Sequence, residues 1–233
     1  SGEACAAALK RAGFNAIMMD VKRETVHSVL LDMKPDVAFN ALHGKWGEDG
    51  QAAALLETLR IPYTHSGVLS SGLAMHKEKS KTIFKAAGLP VAESKLVDLE
   101  VAATTHPMTP PYVVKPVDEG SSVGVFIVES GRNSPASDIL NHRELFGTQA
   151  MVERFIPGRE LTCAVMGDVA LGVIDIVPNV GFYDYDAKYV PGGSRHILPA
   201  EIPNDIYRRI QRCALDAHRA LGCRGVSRAD FRL

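Results

Sequence analysis

The sequence predicts an α/β unit followed by units of mixed helix and strand, α+β in character, and three observations carry that reading. Helix and strand patterns alternate through residues 1–66, as parallel strands with crossover helices require. Beyond Gly67 the strands come in pairs around short loops, at 111–129 and 160–177. Two amphipathic helices with clear stop signals accompany those pairs.

Taken in order, 4–12 reads as a helix closed by Gly13, and 15–20 as a short strand. A second helix spans 25–33 and stops before Pro35. The run DVAFNAL, 36–42, is apolar and β-rich, and 50–60 supplies a helix with Ala and Leu on one face. This first unit is Rossmann-like in architecture. A second unit, 67–153, opens with a basic amphipathic helix at 75–87, closed by Gly88 and Pro90. Strands follow at 111–115 and 123–129, then a helix at 135–146 and a strand at 149–153. The third unit, 154–233, has strands at 160–166 and 169–177 and a long loop at 178–199. A helix at 203–221, with Asn204 or a neighbour as its cap, and a strand at 225–231 complete it.

Hydrophobic residues make up 46% and charged residues 23% of the 233, which predicts a packed core. Lysine and arginine number 26 against 27 acidic residues, a net charge of −1 that favours neither nucleic acid nor an anionic membrane. Cys5, Cys163, Cys213 and Cys223 form no CxxC pair and no zinc spacing, as expected of reduced thiols in a cytosolic protein. No signal peptide and no membrane-length apolar run is expected.

Six segments carry candidate chemistry. In VVKPVDEGSSVGVFIVE, 113–129, two strands flank a Gly- and Ser-rich loop with Lys115 at its edge. Glycines let backbone N–H groups turn toward an anion, and a lysine adds the charge a phosphate needs. The spacing is not that of a Walker A loop, and an ordinary hairpin turn would also fit. In MVERFIPGREL, 151–161, a strand ends at Glu153 and re-enters through Pro157-Gly158 toward Glu160. Such a junction can read an adenine edge and a ribose, although by itself it equally describes a linker with a solvated glutamate.

HKEKSKTIF, 76–84, is dense in lysine; helix geometry allows only one or two of these side chains into a cleft. NALHGKWGEDGQ, 40–51, places His43 beyond a strand end, where ligands of α/β sheets bind. The Tyr- and Gly-rich stretch 181–196 is long for a compact domain and suits a lid, with Lys188 aimed at phosphate. In SRADFRL, 227–233, Arg228 and Asp230 stand two apart on a strand and share a face. An oxyanion-stabilising arginine beside a magnesium-binding aspartate fits there, as does a plain ion pair.

In this order and at these separations, HGKWGEDG, MHKEKSK, KPVDEGSSVGV, ERFIPGRELT, YDYDAKY and SRADF resemble the D-alanine–D-alanine ligase family over essentially the whole chain. The resemblance implies an ATP-grasp fold behind an N-terminal Rossmann-like domain. It implies that Lys77 and Lys115 contact ATP phosphates, covered by Gly120, Ser121, Ser122 and Gly124. Glu153, Arg154 and Ile156 would line the adenine, and Glu160 the ribose. Lys188 would meet the γ-phosphate. Tyr189 and Ser121 would belong to a triad closing the lid over substrate. His43 would lie by the first D-alanine carboxylate, Arg228 would stabilise the tetrahedral intermediate, and Asp230 would bind one of two Mg²⁺ or Mn²⁺ ions.

The implied reaction joins two D-alanines through an acyl phosphate for peptidoglycan precursors, in a cytoplasmic bacterial homodimer. The family's glycine-rich first turn is expected before Ser1 and its Glu-x-Asn metal ligands after Leu233, so a protein limited to these residues is expected to be inactive. The alternatives are D-alanine–D-lactate ligation, another ATP-grasp carboxylate–amine ligase, or a non-catalytic nucleotide-binding module. Tyr189, where lactate-using relatives carry histidine, favours the dipeptide.

Overall fold

The computed structural model describes residues 2–120, 123–131, 135–178 and 193–233. Helices α1 (Gly2–Arg11), α2 (Val26–Met33) and α3 (Gln51–Thr58) form where the sequence predicts them. Helix α2 stops at Lys34, whose left-handed backbone sends its N–H to the Leu30 carbonyl one residue ahead of Pro35. Val26, Leu30, Leu56 and Ile61 bury together beneath α2 and α3.

The strands expected at 15–20 and 36–42 do not form. Among the described residues this unit contains one parallel bridge, Ala38 to Tyr63, and no ladder. A strand exists only through its neighbours, and here Ala38 alone is paired, by Ala38 N–H to Pro62 O at 2.8 Å and Thr64 N–H to Ala38 O at 3.0 Å. Phe14, Ile17, Met18, Val37 and Phe39 are correspondingly exposed.

The second unit begins with α4 (Val68–Met75), which local pattern does not announce. Its serines and glycine are poor helix formers. The helix is held by docking, since buried Ser70 donates to the Gly222 carbonyl at 2.7 Å across the molecule. Helix α5 (Lys77–Ala86) follows after His76. Then come β1 (Ser94–Asp98), α6 (Leu99–Thr104), β2 (Tyr112–Lys115) and β3 (Phe126–Val128). The helix expected at 135–146 is instead a 3₁₀ segment, Ser137–His142, running into the single turn α7 (Arg143–Phe146). Ser137, Asp138 and Asn141 are residues whose side chains compete for backbone groups, which disfavours a regular α-helix. Strand β4 (Gln149–Arg154) completes a wholly antiparallel sheet of order β1-β4-β2-β3.

Strand alternation divides that sheet into two faces. Tyr112, Val114, Val128, Ala150 and Val152 point into a core capped by Leu99, Ala102 and Ile139. The Tyr112 hydroxyl, buried with its ring, is satisfied by His106 Nδ1 at 2.9 Å. Val113, Lys115, Ile127, Met151 and Glu153 therefore take the opposite face.

The third unit repeats the logic. Strands β5 (Glu160–Met166), β6 (Val169–Pro178), β7 (Ser194–Ile197) and β8 (Val226–Arg232) form an antiparallel sheet of order β7-β6-β5-β8. Strand β7 lies in the stretch expected to be loop. It is short and polar, and its pairing with β6, Asp175 to Ile197 through Pro178 to Ser194, supplies its order. Helix α8 (Asn204–Ala220) buries Ile210, Ala214 and His218 at four-residue spacing, one stripe of a helix. Its cap is Pro203 rather than Asn204. The stripe covers Leu161, Cys163, Val165 and Val173. Among the described residues no helix is long and apolar enough to cross a membrane.

Candidate active site

A cavity of about 810 Å³ opens between the two sheets and the linker that joins them. Ile127 comes from the first sheet, Phe155 from the linker, and Glu160, Asp175, Ile176 and Arg232 from the second sheet. The volume falls in the range of small-molecule sites. Lys115 lies two residues beyond Val113 on the same face of β2, roughly 7 Å further along the cleft.

Cationic groups gather at that end. Lys115 Nζ stands 2.5 Å from Glu153 Oε1, the diagonal neighbour on β4 whose direct partner is Val113, and Lys81 reaches the other oxygen of the same carboxylate. Lys77 donates to the Glu119 carbonyl, at the edge of the glycine loop. Lys77 and Lys81 are four residues apart on α5, so both point inward, whereas Lys79 and Lys85 stay in solvent. Lys81 was not among the expected site residues, although its spacing from Lys77 would have found it. Lys45, also unexpected, ties the 40–51 loop to the glycine loop through Glu119 at 2.7 Å and Asp118 at 3.5 Å. His43 is exposed on that same loop.

Burial pushes the Lys77 ammonium down to about 8, with the neighbouring Lys115 charge adding to the effect. Lys81 is lowered too, chiefly by burial. Burial alone would raise Glu153, but the Lys115 charge and the hydrogen bonds from both lysines outweigh it and hold the carboxyl below its usual range. Lys45, Lys77, Lys81 and Lys115 against Asp118, Glu119 and Glu153 leave an excess of one positive charge at this end, which suits a polyanion.

Across the cleft, two-residue alternation puts Arg228, Asp230 and Arg232 of β8 on one face. Arg228 forks onto Asp230, with Nε to Oδ1 at 3.0 Å and Nη2 to Oδ2 at 3.1 Å. Thr162 also donates to Asp230 Oδ1, at 2.7 Å. The plain ion pair is thus present in this conformation. Glu160 pairs with Arg232 at 2.9 Å, and the Ile156 carbonyl accepts from the same guanidinium at 3.1 Å.

Arg154 departs from expectation. Its side chain points away from the Glu153 face, because consecutive strand residues alternate, and pairs with Glu93 at 3.0 Å in solvent. The Glu153 carboxylate is likewise committed to lysines, so neither of these two side chains is turned to the role expected of it at the adenine. Gly124, with φ of +68°, packs where a Cβ would stand 3.0 Å from Pro116 Cγ, so the loop turns only with glycine there. Gly120 lies in the same loop beside Glu119. Ser121, Ser122, Lys188 and Tyr189 lie outside the described residues.

Solved structures share this fold. The D-alanine–D-alanine ligase of Bacillus anthracis superposes with a TM-score of 0.73 at 30% identity, covering 93% of this chain and 70% of that one. The same organism's ligase in complex with ATP gives 0.70 at 27% identity, covering 89% and 67%. Two antiparallel α+β lobes with a cavity between them, on the fold of these ligases, define an ATP-grasp protein. A profile described as the D-ala D-ala ligase C-terminus matches residues 83–233. The D-alanine–D-alanine ligase of Parvibaculum lavamentivorans is 60% identical over 232 residues, covering 100% of this chain and 75% of its own length. The chain belongs to the D-alanine–D-alanine ligase family.

Proposed function

We propose that the protein joins two D-alanines at the expense of ATP, providing the dipeptide of peptidoglycan precursors, as a cytoplasmic homodimer. The observation that carries this reading is the convergence of Lys77, Lys81 and Lys115 beside the glycine loop, on the sheet face that also sends Ile127 into the cavity. The triphosphate belongs at the lysines, and the nucleoside in the cavity near Ile156 and Glu160. Relatives at 54–60% identity that carry the name D-alanine–D-alanine ligase support the substrate.

A carboxylate is a poor electrophile. One carboxylate oxygen of the first D-alanine attacks the γ-phosphorus, the bond to the bridging oxygen breaks, and ADP leaves. The amine of the second D-alanine, in its neutral form, then attacks the acyl carbon, and inorganic phosphate departs with the electrons of the C–O bond. Phosphoryl transfer needs positioning and charge neutralisation, which Lys77 and Lys115 supply. Arg228 is placed to meet the oxyanion of the tetrahedral intermediate. The family resemblance implies Lys188 for the γ-phosphate and Tyr189 with Ser121 for closing the lid, which would keep water from the acyl phosphate.

Asp230 fits a magnesium ligand, since Mg²⁺ is commonly held by one or two carboxylates plus phosphate oxygens. Among the described residues no group of three or more His, Cys, Asp or Glu side chains gathers to hold a metal ion. An ion held by Asp230 would supply neutralisation of phosphate charge.

The test is phosphate release and dipeptide formation by the natural full-length protein with ATP and D-alanine, with L-alanine and D-lactate as competitors. D-Alanyl-D-alanine is the expected product. No D-alanine-dependent phosphate release would overturn the reading.

The depressed Lys77 gives a separate signature. With a folded pKa of about 8 against 10.5 in the open chain, the folded protein loses this proton first as pH rises. Between those values the unfolded chain binds more protons, so the contribution of Lys77 to stability improves with pH across that window and is most unfavourable below it. A triphosphate drives the proton back on. Calorimetry with ATP at pH 8, in two buffers of different ionisation enthalpy, should show uptake of about half a proton per site, lost in Lys77→Met. Equal uptake in the variant would refute the assignment to Lys77.

A further inference from the structure

Arg232 has no role in the chemistry above, yet it makes three contacts at the cavity. It stands on β8 opposite Glu160 of β5, as its direct antiparallel partner. One guanidinium nitrogen, Nη1, lies 2.9 Å from Glu160 Oε2, and another, Nε, donates to the Ile156 carbonyl at 3.1 Å. Its carbon Cζ sits 5.9 Å from the centre of the Phe155 ring. The three contacts bracket the linker 155–160, which includes Gly158 at φ +118°. The pair is sheltered, with side-chain exposures of 29% for Arg232 and 15% for Glu160.

We propose that Arg232 is a positioning residue for the nucleoside, fixing the Glu160 carboxylate toward the ribose hydroxyls and the Ile156 peptide toward the adenine edge. This rests on the reading of Glu160 as the ribose carboxylate. The physical basis is preorganisation. A glutamate held in one rotamer before binding loses less freedom when it accepts a hydroxyl, and a carboxylate has acceptor capacity on both oxygens. The planar fork of arginine sets two directions at once. The flexible point charge of lysine sets neither.

The experiment measures dissociation constants of ATP and of 2′,3′-dideoxy-ATP for the full-length protein and its variants. The native protein is expected to prefer ATP by about tenfold or more, the worth of a well-made hydrogen bond to a charged group. Arg232→Met should erase most of that preference by weakening ATP, with dideoxy-ATP changed less than about twofold. Arg232→Lys should recover only part of it. Glu160→Ala should abolish the preference, and adding Arg232→Met to it should cost nothing further.

Equal weakening of both nucleotides by Arg232→Met would mean a merely structural residue and would overturn the proposal. Retention of the preference in Glu160→Ala would overturn the ribose reading on which it rests. Should Glu160→Ala lose the preference while Arg232→Met keeps it, the ribose reading survives and the role of Arg232 alone falls. Thermal midpoints of both single variants, within a few degrees of native, certify folding, and Arg232→Lys serves in place of a methionine variant that fails to fold.

Discussion

Lys115→Met is expected to lower turnover at saturating ATP by about 10²–10³-fold, the loss typical when one preorganised group facing developing charge is removed. Lys115 stands at the end of β2 on the cleft face, beside the loop that is to cover the phosphates. The ligand-free site holds its ammonium in place with Glu153, at 2.5 Å. Methionine keeps the length of the side chain and removes the charge. Stability falls as well, because Glu153 keeps only one of the two lysines that offset its burial. Breaking a fully buried pair costs about 3–5 kcal/mol. Here Lys81 remains and the two side chains are 19% and 17% exposed, so a loss of about 1–2 kcal/mol is expected. Lys115→Arg separates the effects. It preserves a partner for Glu153 and should regain the urea midpoint, while recovering only part of the turnover, since a guanidinium fork does not replace a compact ammonium. A Lys115→Met protein within tenfold of native turnover would remove this lysine from the phosphate site.

Arg228→Ala should also cost about 10²–10³-fold in turnover, but for a different reason and with a different profile. In the proposed role, the charge it meets develops only on the oxyanion of the tetrahedral intermediate, so the KM for ATP should scarcely move. Its stability cost should be small, since Arg228 and Asp230 are 57% and 44% exposed. An ion pair so open to solvent contributes about 0–1 kcal/mol at most. Arg228→Lys should recover little, because the observed contact is a two-pronged fork that an ammonium cannot reproduce. Steady-state kinetics in both substrates, with a melting curve beside them, check all of this. A defect confined to the KM for ATP would place Arg228 with the nucleotide instead.

The parts of the site legible in the sequence are those set by local geometry. The four-residue turn of α5 brought Lys77 and Lys81 inward together and left Lys79, half a turn away, in water. The two-residue period of β8 put Arg228 and Asp230 on one face. The same period carried the side chain of Arg154 to the face opposite Glu153, a consequence available beforehand but not drawn. The N-terminal unit was less legible. Its apolar runs at 15–20 and 36–42 have strand composition, but pairing needs neighbours, and in the described structure only Ala38 finds one. Helix α4 failed the opposite way, as its poor local propensity is overridden by docking onto the C-terminal unit through Ser70 and Gly222.

The sequence by itself determined where the chain turns, which side chains share a face, and that a glycine loop with Lys115 at its edge precedes a Pro-Gly junction. Only the tertiary structure decided the partners. Glu153 meets Lys115 across 38 residues and Lys81 across 72, because the order β1-β4-β2-β3 sets β4 beside β2 and α5 packs over that face. Arg232 meets Glu160 across another 72 because β8 closes on β5. Such pairings follow from strand register and layer packing, which are properties of the assembled sheets. Charges so far apart in the chain carry no local signal of which will meet.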